Sequence, residues 1–311
     1  MHTTITREKV EFLSDGERCA AWHYPGTNGA CVVMAGGFGV PKEPATDLFA
    51  QRFNAAGFAV LAFDYRRLGE SDGRPRLVVR IGDSLADWHA AIACARTLPD
   101  VDPAKVALWA FSGSGGHLFP VAARDPDVAA AIAQTPLVDA PAVMPAVARY
   151  STPIAQLRLM GRGVLDVLRR EPLLVPLTGE RGSVALLSTP DAFDVHAALN
   201  TGAHPEWRQQ VAARSVLSLA SYRPGRHAPR VRCPLLVVVC DDDRAAPPSP
   251  AIRAAARAPR GELVRLPGGH YAPFLDAHEE AVELELAFLE RHVLTRSGGD
   301  ASLRPDRALG R

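Results

Sequence analysis

The sequence predicts an α/β protein, a mostly parallel sheet flanked by helices, and three observations carry that expectation. Apolar runs at residues 30–35, 58–63, 106–111 and 234–239 are continuous rather than alternating, as strands buried on both faces must be. Between them lie stretches whose apolar residues recur at helical spacing, and strands that alternate with helices build parallel sheets. The alternation then stops from about residue 138 to residue 230, where Pro141, Pro145, Pro153, Pro172, Pro176 and Pro190 break the chain into short pieces. A stretch of that length between two strands reads as an insertion over one end of the sheet.

Taken in order, residues 10–13 and 18–24 flank the turn Ser14-Asp15-Gly16 and read as two antiparallel strands at one sheet edge. Residues 30–35 form a buried strand that stops at Gly36-Gly37-Phe38-Gly39, and a helix carrying Leu48, Phe49 and Phe53 ends at Ala56-Gly57. A strand at 58–63 leads into Asp64-Tyr65-Arg66, and residues 79–98 form an amphipathic helix with Ile81, Leu85, Trp88 and Ile92. A strand at 106–111, a helix at 113–124 and a strand at 128–135 follow. After the insertion come strands at 234–239 and 262–266 and a closing helix at 279–293. The expected organisation is a core of residues 1–137 and 231–295, a cap at 138–230 and a flexible tail at 296–311.

Composition excludes several classes of function. The 311 residues are 47% hydrophobic and 22% charged, an ordinary globular balance, and the net charge of +1 offers no global field for nucleic acid or an anionic membrane. Arg66-Arg67 and the arginines of 226–232 read as solvated loops. No apolar run approaches the roughly 18 residues of a membrane span, and Met1-His2-Thr3-Thr4 leads into charged residues rather than a secretory signal. Cys19, Cys31, Cys94, Cys233 and Cys240 lack CxxC spacing and read as reduced, mostly buried thiols of a cytoplasmic protein. A small-molecule substrate is expected, with no nucleic-acid or membrane partner; a homodimer is compatible with the sequence.

The chemistry centres on Leu108-Trp109-Ala110-Phe111-Ser112-Gly113-Ser114-Gly115-Gly116. A nucleophile elbow sets a serine in a strained strand-to-helix turn with small residues two positions away on either side. Ser112 ends the strand, with Ala110 and Ser114 as its flanks; Ser114 is the alternative, flanked by Ser112 and Gly116. A serine needs a base to take its proton. His270, in Pro267-Gly268-Gly269-His270-Tyr271 after the last strand, is the candidate, its glycines suiting a mobile imidazole. His278 and His292 fall in or near the closing helix and His117 packs beneath the site. The acid that orients the base is sought in Cys240-Asp241-Asp242-Asp243, at the carboxyl end of a sheet strand, where such sites lie. Asp243 is favoured, with Asp241 second and Asp139 a third option after the preceding strand. The order Ser112, Asp243, His270 is that of the α/β-hydrolase fold. The oxyanion hole needs two backbone N–H groups, assigned to Gly113 and Phe38. Gly36-Gly37-Phe38-Gly39 fails the GxGxxG spacing of a dinucleotide loop, so no nicotinamide is expected, nor any other cofactor or metal.

These residues resemble bacterial α/β-fold hydrolases related to dienelactone-hydrolase-like and fungal polyketide-transferase-like proteins. The resemblance is carried by Phe63-Asp64-Tyr65-Arg66, Gly69-Glu70-Ser71-Asp72-Gly73-Arg74-Pro75-Arg76, Val101-Asp102-Pro103, Ser114-Gly115-Gly116-His117 and Tyr222-Arg223-Pro224-Gly225-Arg226, and covers nearly the whole chain. Two departures stand out: Gly36-Gly37 where relatives carry His-Gly, and Ala110-Phe111-Ser112 where they carry Gly-x-Ser. Neither removes a backbone donor or a triad side chain. The resemblance implies a hydrolase of esters or lactones, with a biosynthetic tailoring enzyme or an inactive binding protein as alternatives on the same scaffold. The cap is expected to set substrate choice through apolar residues such as Leu157, Leu168 and Leu174, and to supply no member of the triad.

Overall fold

The computed structural model describes residues 6–199 and 201–295, so the expected tail at 296–311 lies outside the described residues. Strands β1 (Glu8–Ser14) and β2 (Glu17–Tyr24) form a hairpin, followed by β3 (Cys31–Ala35), α1 (Lys42–Ala45), α2 (Asp47–Ala55), β4 (Ala59–Phe63), α3 (Ile81–Ala95), β5 (Val106–Phe111), α4 (Ser112–Arg124) and β6 (Ala130–Gln134). The segment that follows holds α5 (Ala140–Val147), α6 (Pro153–Val167), β7 (Leu174–Pro176), α7 (Val195–Ala198), β8 (Gln210–Ala212) and α8 (Ser215–Leu219). The chain closes with β9 (Leu235–Cys240), α9 (Ser249–Arg257), β10 (Gly261–Leu266) and α10 (His278–Leu289), which runs on into a π-helical turn, Glu290–Leu294.

The eight-stranded sheet has the order β1-β2-β4-β3-β5-β6-β9-β10. The β1–β2 and β2–β4 pairs are antiparallel and all the others parallel. This is the α/β-hydrolase fold with the predicted hairpin at its edge. Every residue of β3, β4, β5, β6 and β9 is buried, which explains their unbroken apolar runs. The edge strand β10 alternates instead, with exposed Gly261, Leu263 and Arg265. Because β6 pairs directly with β9, the chain leaves the sheet at the carboxyl end of one strand and returns to the amino end of its neighbour.

Arg66 departs from the solvated reading. Its Nε and main-chain N–H both donate to Asp87 of α3 (2.7 and 3.0 Å), and its Nη2 donates to Ser14 of β1 (2.6 Å). A buried cation is tolerated here because Asp87, itself fully buried, supplies the opposite charge. Leu157 and Leu168 also fall elsewhere than expected. Helix α6 packs through Ala155, Gly163 and Asp166, and these two leucines face outward, 74% and 84% exposed. Asp166 fixes that orientation by accepting from the main chain and Nε of Arg214, both at 2.9 Å.

On the other side of the sheet, α10 inserts Glu285, fully buried, against β5. Trp109 Nε1 donates to its Oε2 at 2.9 Å, and burial raises the carboxyl to about 8. In the unfolded chain the same group titrates near 4.3. Between those values the folded state holds a proton that the unfolded state has released, so this group's stabilising contribution is full below pH 4 and is lost as pH rises through about 8. The slope is at most about 1.4 kcal/mol per pH unit. Glu285→Gln keeps an acceptor for Trp109 and abolishes the titration, so its urea midpoint should change less between pH 6 and pH 9 than the wild type's.

Candidate active site

Ser112, at the carboxyl end of β5, has φ +58°, the left-handed region that a side chain adopts at a cost. The turn lifts its hydroxyl out of the sheet while the chain enters α4. Ser114 has a different environment. It is buried, and its Oγ accepts from Tyr65 Oη at 2.7 Å, which in turn accepts from Trp88 Nε1 at 2.7 Å. Close approach explains the glycines beyond. A Cβ on Gly116 would lie 2.2 Å from the Leu137 carbonyl oxygen, and one on Gly115 would lie 3.1 Å from the Ala110 oxygen.

The structure brings Ser112, His270 and Asp243 together. His270 Nε2 lies 2.9 Å from Ser112 Oγ, and its Nδ1 lies 2.8 Å from Asp243 Oδ2. Asp243 also accepts from Ala246 N–H at 2.6 Å, and it and His270 are both buried. Burial alone would lower the imidazole pKa, but Asp243 beside it, and then Asp191, outweigh that and raise it. Burial pushes the Asp243 carboxyl up as well, so the pair keeps its shared proton to a higher pH than a free imidazole.

The other candidate groups are engaged elsewhere. Asp241 pairs with Arg265 at 2.7 Å, Asp242 is exposed, and Asp139 caps α5 by accepting from Ala142 at 3.1 Å. His278 Nδ1 meets the Pro273 carbonyl at 3.0 Å, and His292 meets Glu262 at 2.6 Å. His117 is buried on α4 with Nδ1 2.6 Å from Tyr222 Oη, and burial lowers its pKa to about 3, so it is neutral. The glycines before His270 have fixed roles rather than conferring mobility: Gly268 takes φ +89°, and a Cβ on Gly269 would lie 3.0 Å from Asp191 Cβ.

The loop after β3 lies against the elbow. A Cβ on Gly113 would come within 2.8 Å of Phe38 Cβ and 3.4 Å of Phe38 N, and one on Gly37 would lie 3.4 Å from Ser112 Cβ. Gly113 is the second residue of α4, where a main-chain N–H has no partner within the helix. The loop's far end is held by buried Asp64, which accepts from Lys42 N–H (2.7 Å), Lys42 Nζ (2.8 Å) and Glu70 N–H (2.9 Å). Gly69 permits this, since a Cβ there would fall 2.2 Å from Asp64 Oδ2. Beyond Gly39 a cavity of about 600 Å³ is lined by Trp22, Lys42, Leu68, Leu77 and Trp207.

Asp191 is the residue that sequence reasoning missed. It comes from the segment between β6 and β9, and its Oδ2 accepts from the main-chain N–H groups of Arg244 (2.7 Å), Ala245 (3.3 Å) and His270 (3.3 Å). No motif in the sequence marks it; the only signal is an acidic residue in a Thr-Pro-Asp step far from any strand. Among the described residues, no group of three or more His, Cys, Asp or Glu side chains could hold a metal ion, and no helix is long and apolar enough to cross a membrane.

A strained serine at a strand-to-helix turn, hydrogen-bonded to a buried histidine–carboxylate pair at the carboxyl ends of parallel strands, defines the α/β hydrolases. The profile of the alpha/beta hydrolase family matches residues 32–284, and the chain belongs to that family. It is 39% identical over 294 residues to the quorum-quenching protein AidA of Acinetobacter baumannii, spanning 91% of this chain and 94% of that one. It is 32% identical over 185 residues to the polyketide transferase grgF of a Penicillium species, spanning 58% of this chain and 61% of the relative. The crystal structure of GrgF from Penicillium sp. sh18 superimposes with a TM-score of 0.79 at 26% identity, covering 93% of this chain and 99% of that one.

Proposed function

We propose that this α/β hydrolase is a cofactor-independent serine hydrolase that opens an ester or lactone through an acyl-enzyme. The observation that carries the reading is the unbroken line from Ser112 Oγ through His270 to Asp243, with spacings of 2.9 and 2.8 Å. Ser112 Oγ attacks the carbonyl carbon as His270 Nε2 takes its proton. Asp243 holds the imidazole in the productive tautomer and stabilises its charged form. The developing oxyanion is met by the N–H groups of Gly113 and Phe38. His270 then protonates the leaving alkoxide, and the same nitrogen activates the water that releases the acid. In a lactone the leaving alkoxide stays attached to the acyl group, so hydrolysis yields a single hydroxy acid.

In this reading residues 138–230 act as the cap. Leu177 of this segment packs on Gly39, and Trp207 lines the cavity beyond it, so substrate selection rests with these residues rather than with the outward-facing leucines of α6. The 39% identity to a quorum-quenching protein supports a small diffusible signal compound as the first substrate to try. The likeness to a polyketide transferase favours a second reading, in which another nucleophile replaces water in the deacylation step.

The test combines labelling with a fluorophosphonate probe and turnover of matched esters, lactones and thioesters, with mass detection of the acyl-enzyme. Labelling at Ser112 together with release of free acid supports the hydrolase. Acyl-enzyme that persists in water until a second nucleophile is added favours transfer. Absence of labelling in folded protein rejects both.

A further inference from the structure

Asp191 reaches the site from outside the sheet. Although it belongs to the segment between β6 and β9, the residue is only 7% exposed and one of its oxygens, Oδ2, is shared by three main-chain donors. Two of them, Arg244 and Ala245, directly follow Asp243, and the third is His270 itself. A single carboxylate oxygen therefore ties the loop that carries the acid to the loop that carries the base. The fit needs a glycine, because a Cβ on Gly269 would crowd Asp191 Cβ at 3.0 Å. Its other oxygen, Oδ1, is buried with no hydrogen-bond partner. Keeping a carboxylate in so dry a place costs free energy that an amide or hydroxyl would avoid. Packing alone does not account for the residue.

We infer that Asp191 is a positioning residue for catalysis, a carboxylate lent by the cap that fixes the His270 loop against the Asp243 loop and holds a second negative charge beside the imidazole. This rests on the reading of Ser112, His270 and Asp243 as a triad. The groups around His270 favour such a role. Asp243 lies at Nδ1, Ser112 at Nε2, Asp191 at the main chain, and the buried Tyr271 phenol beside the ring. The nearby guanidinium, Arg244, turns outward toward Asp242 and the Tyr150 hydroxyl. Among the described residues no cation is a leading influence on the ring, and both carboxylates raise the imidazole pKa against the opposing effect of burial. The consequence is that displacing Asp191 loosens both loops and removes the charge together.

The test is Asp191→Asn, close to isosteric and still able to accept from the three N–H groups. Wild type and variant are compared on a small activated ester across pH, with urea midpoints and fluorophosphonate labelling measured in parallel. The expected result is a kcat at least about tenfold lower with KM within about threefold. The acid limb of kcat/KM should move to lower pH by about half a unit or more, since loss of a nearby negative charge makes the imidazole less basic. A role confined to holding the fold lowers the urea midpoint without moving that limb. A folded variant whose limb stays in place overturns the inference, and so does a variant that fails to fold. If the wild type itself is not labelled at Ser112, the triad reading fails first, and that outcome is distinguishable from the other two.

Discussion

Ser112→Ala is expected to lower turnover of any acyl substrate by on the order of 10⁶, as loss of a triad nucleophile does elsewhere. Ser114→Ala should remain within about tenfold of wild type. The two serines are two residues apart and equally small, yet their surroundings separate them. Ser112 carries the strained φ of +58° and faces His270 Nε2, while Ser114 is buried and accepts from Tyr65. Removing the Ser114 hydroxyl leaves a buried phenol donor without its acceptor, a cost of about 1–3 kcal/mol in stability rather than in chemistry. Steady-state kinetics on an activated ester, with urea midpoints alongside, checks both halves. Inactivity of the Ser114 variant with survival of the Ser112 variant would transfer the nucleophile to Ser114.

The base and acid should behave as one unit. Asp243→Asn should cost about 10⁴ in turnover, because an amide at that position holds the imidazole in the wrong tautomer. His270→Ala should cost at least as much, and combining the two should add little. Asp241→Asn and Asp242→Asn should have small effects, one carboxylate being engaged by Arg265 and the other exposed. The imidazole must be neutral to accept the serine proton. Because the neighbouring carboxylates raise its pKa, the acid limb of kcat/KM should lie above the usual histidine value of about 6.5. Multiplicative losses in the double variant, or a limb below 6.5, would contradict the pairing.

Much of this was legible in the residues. Strands buried on both faces announce themselves as unbroken apolar runs, so the sheet and its order of alternation followed from pattern alone. Ser112 and His270 were legible because each sits in a turn whose glycines and small neighbours mean something locally. Asp243 was harder, since three adjacent carboxylates differ only in where the chain after β9 points them. Phe63-Asp64-Tyr65-Arg66 marked the family, but the work these residues do is long-range. Asp64 anchors the loop after β3, Tyr65 supports Ser114 and Arg66 ties β1 to α3. Arg66-Arg67 looked solvated because nothing local reveals the buried Asp87. Asp191 escaped because it lies in an irregular segment where no periodicity places it, and the outward leucines because helix α6 also carries apolar residues on its exposed side, Ile154 and Val164 among them, so pattern alone does not tell which side faces the core.

The separation in sequence between the paired groups also dictates when the site can exist during synthesis. Ser112 and His270 are 158 positions apart, and β9, which must slot beside β6, is made only after the whole intervening segment. A nascent chain that has emerged as far as α4 therefore carries Ser112 without the histidine and aspartate that lie beside it in the finished fold. Contacts this remote form late, because loop closure must be met before they reward it. Recovery of activity after dilution from urea should thus lag behind recovery of helical signal, making ester turnover the stricter clock for the completed fold.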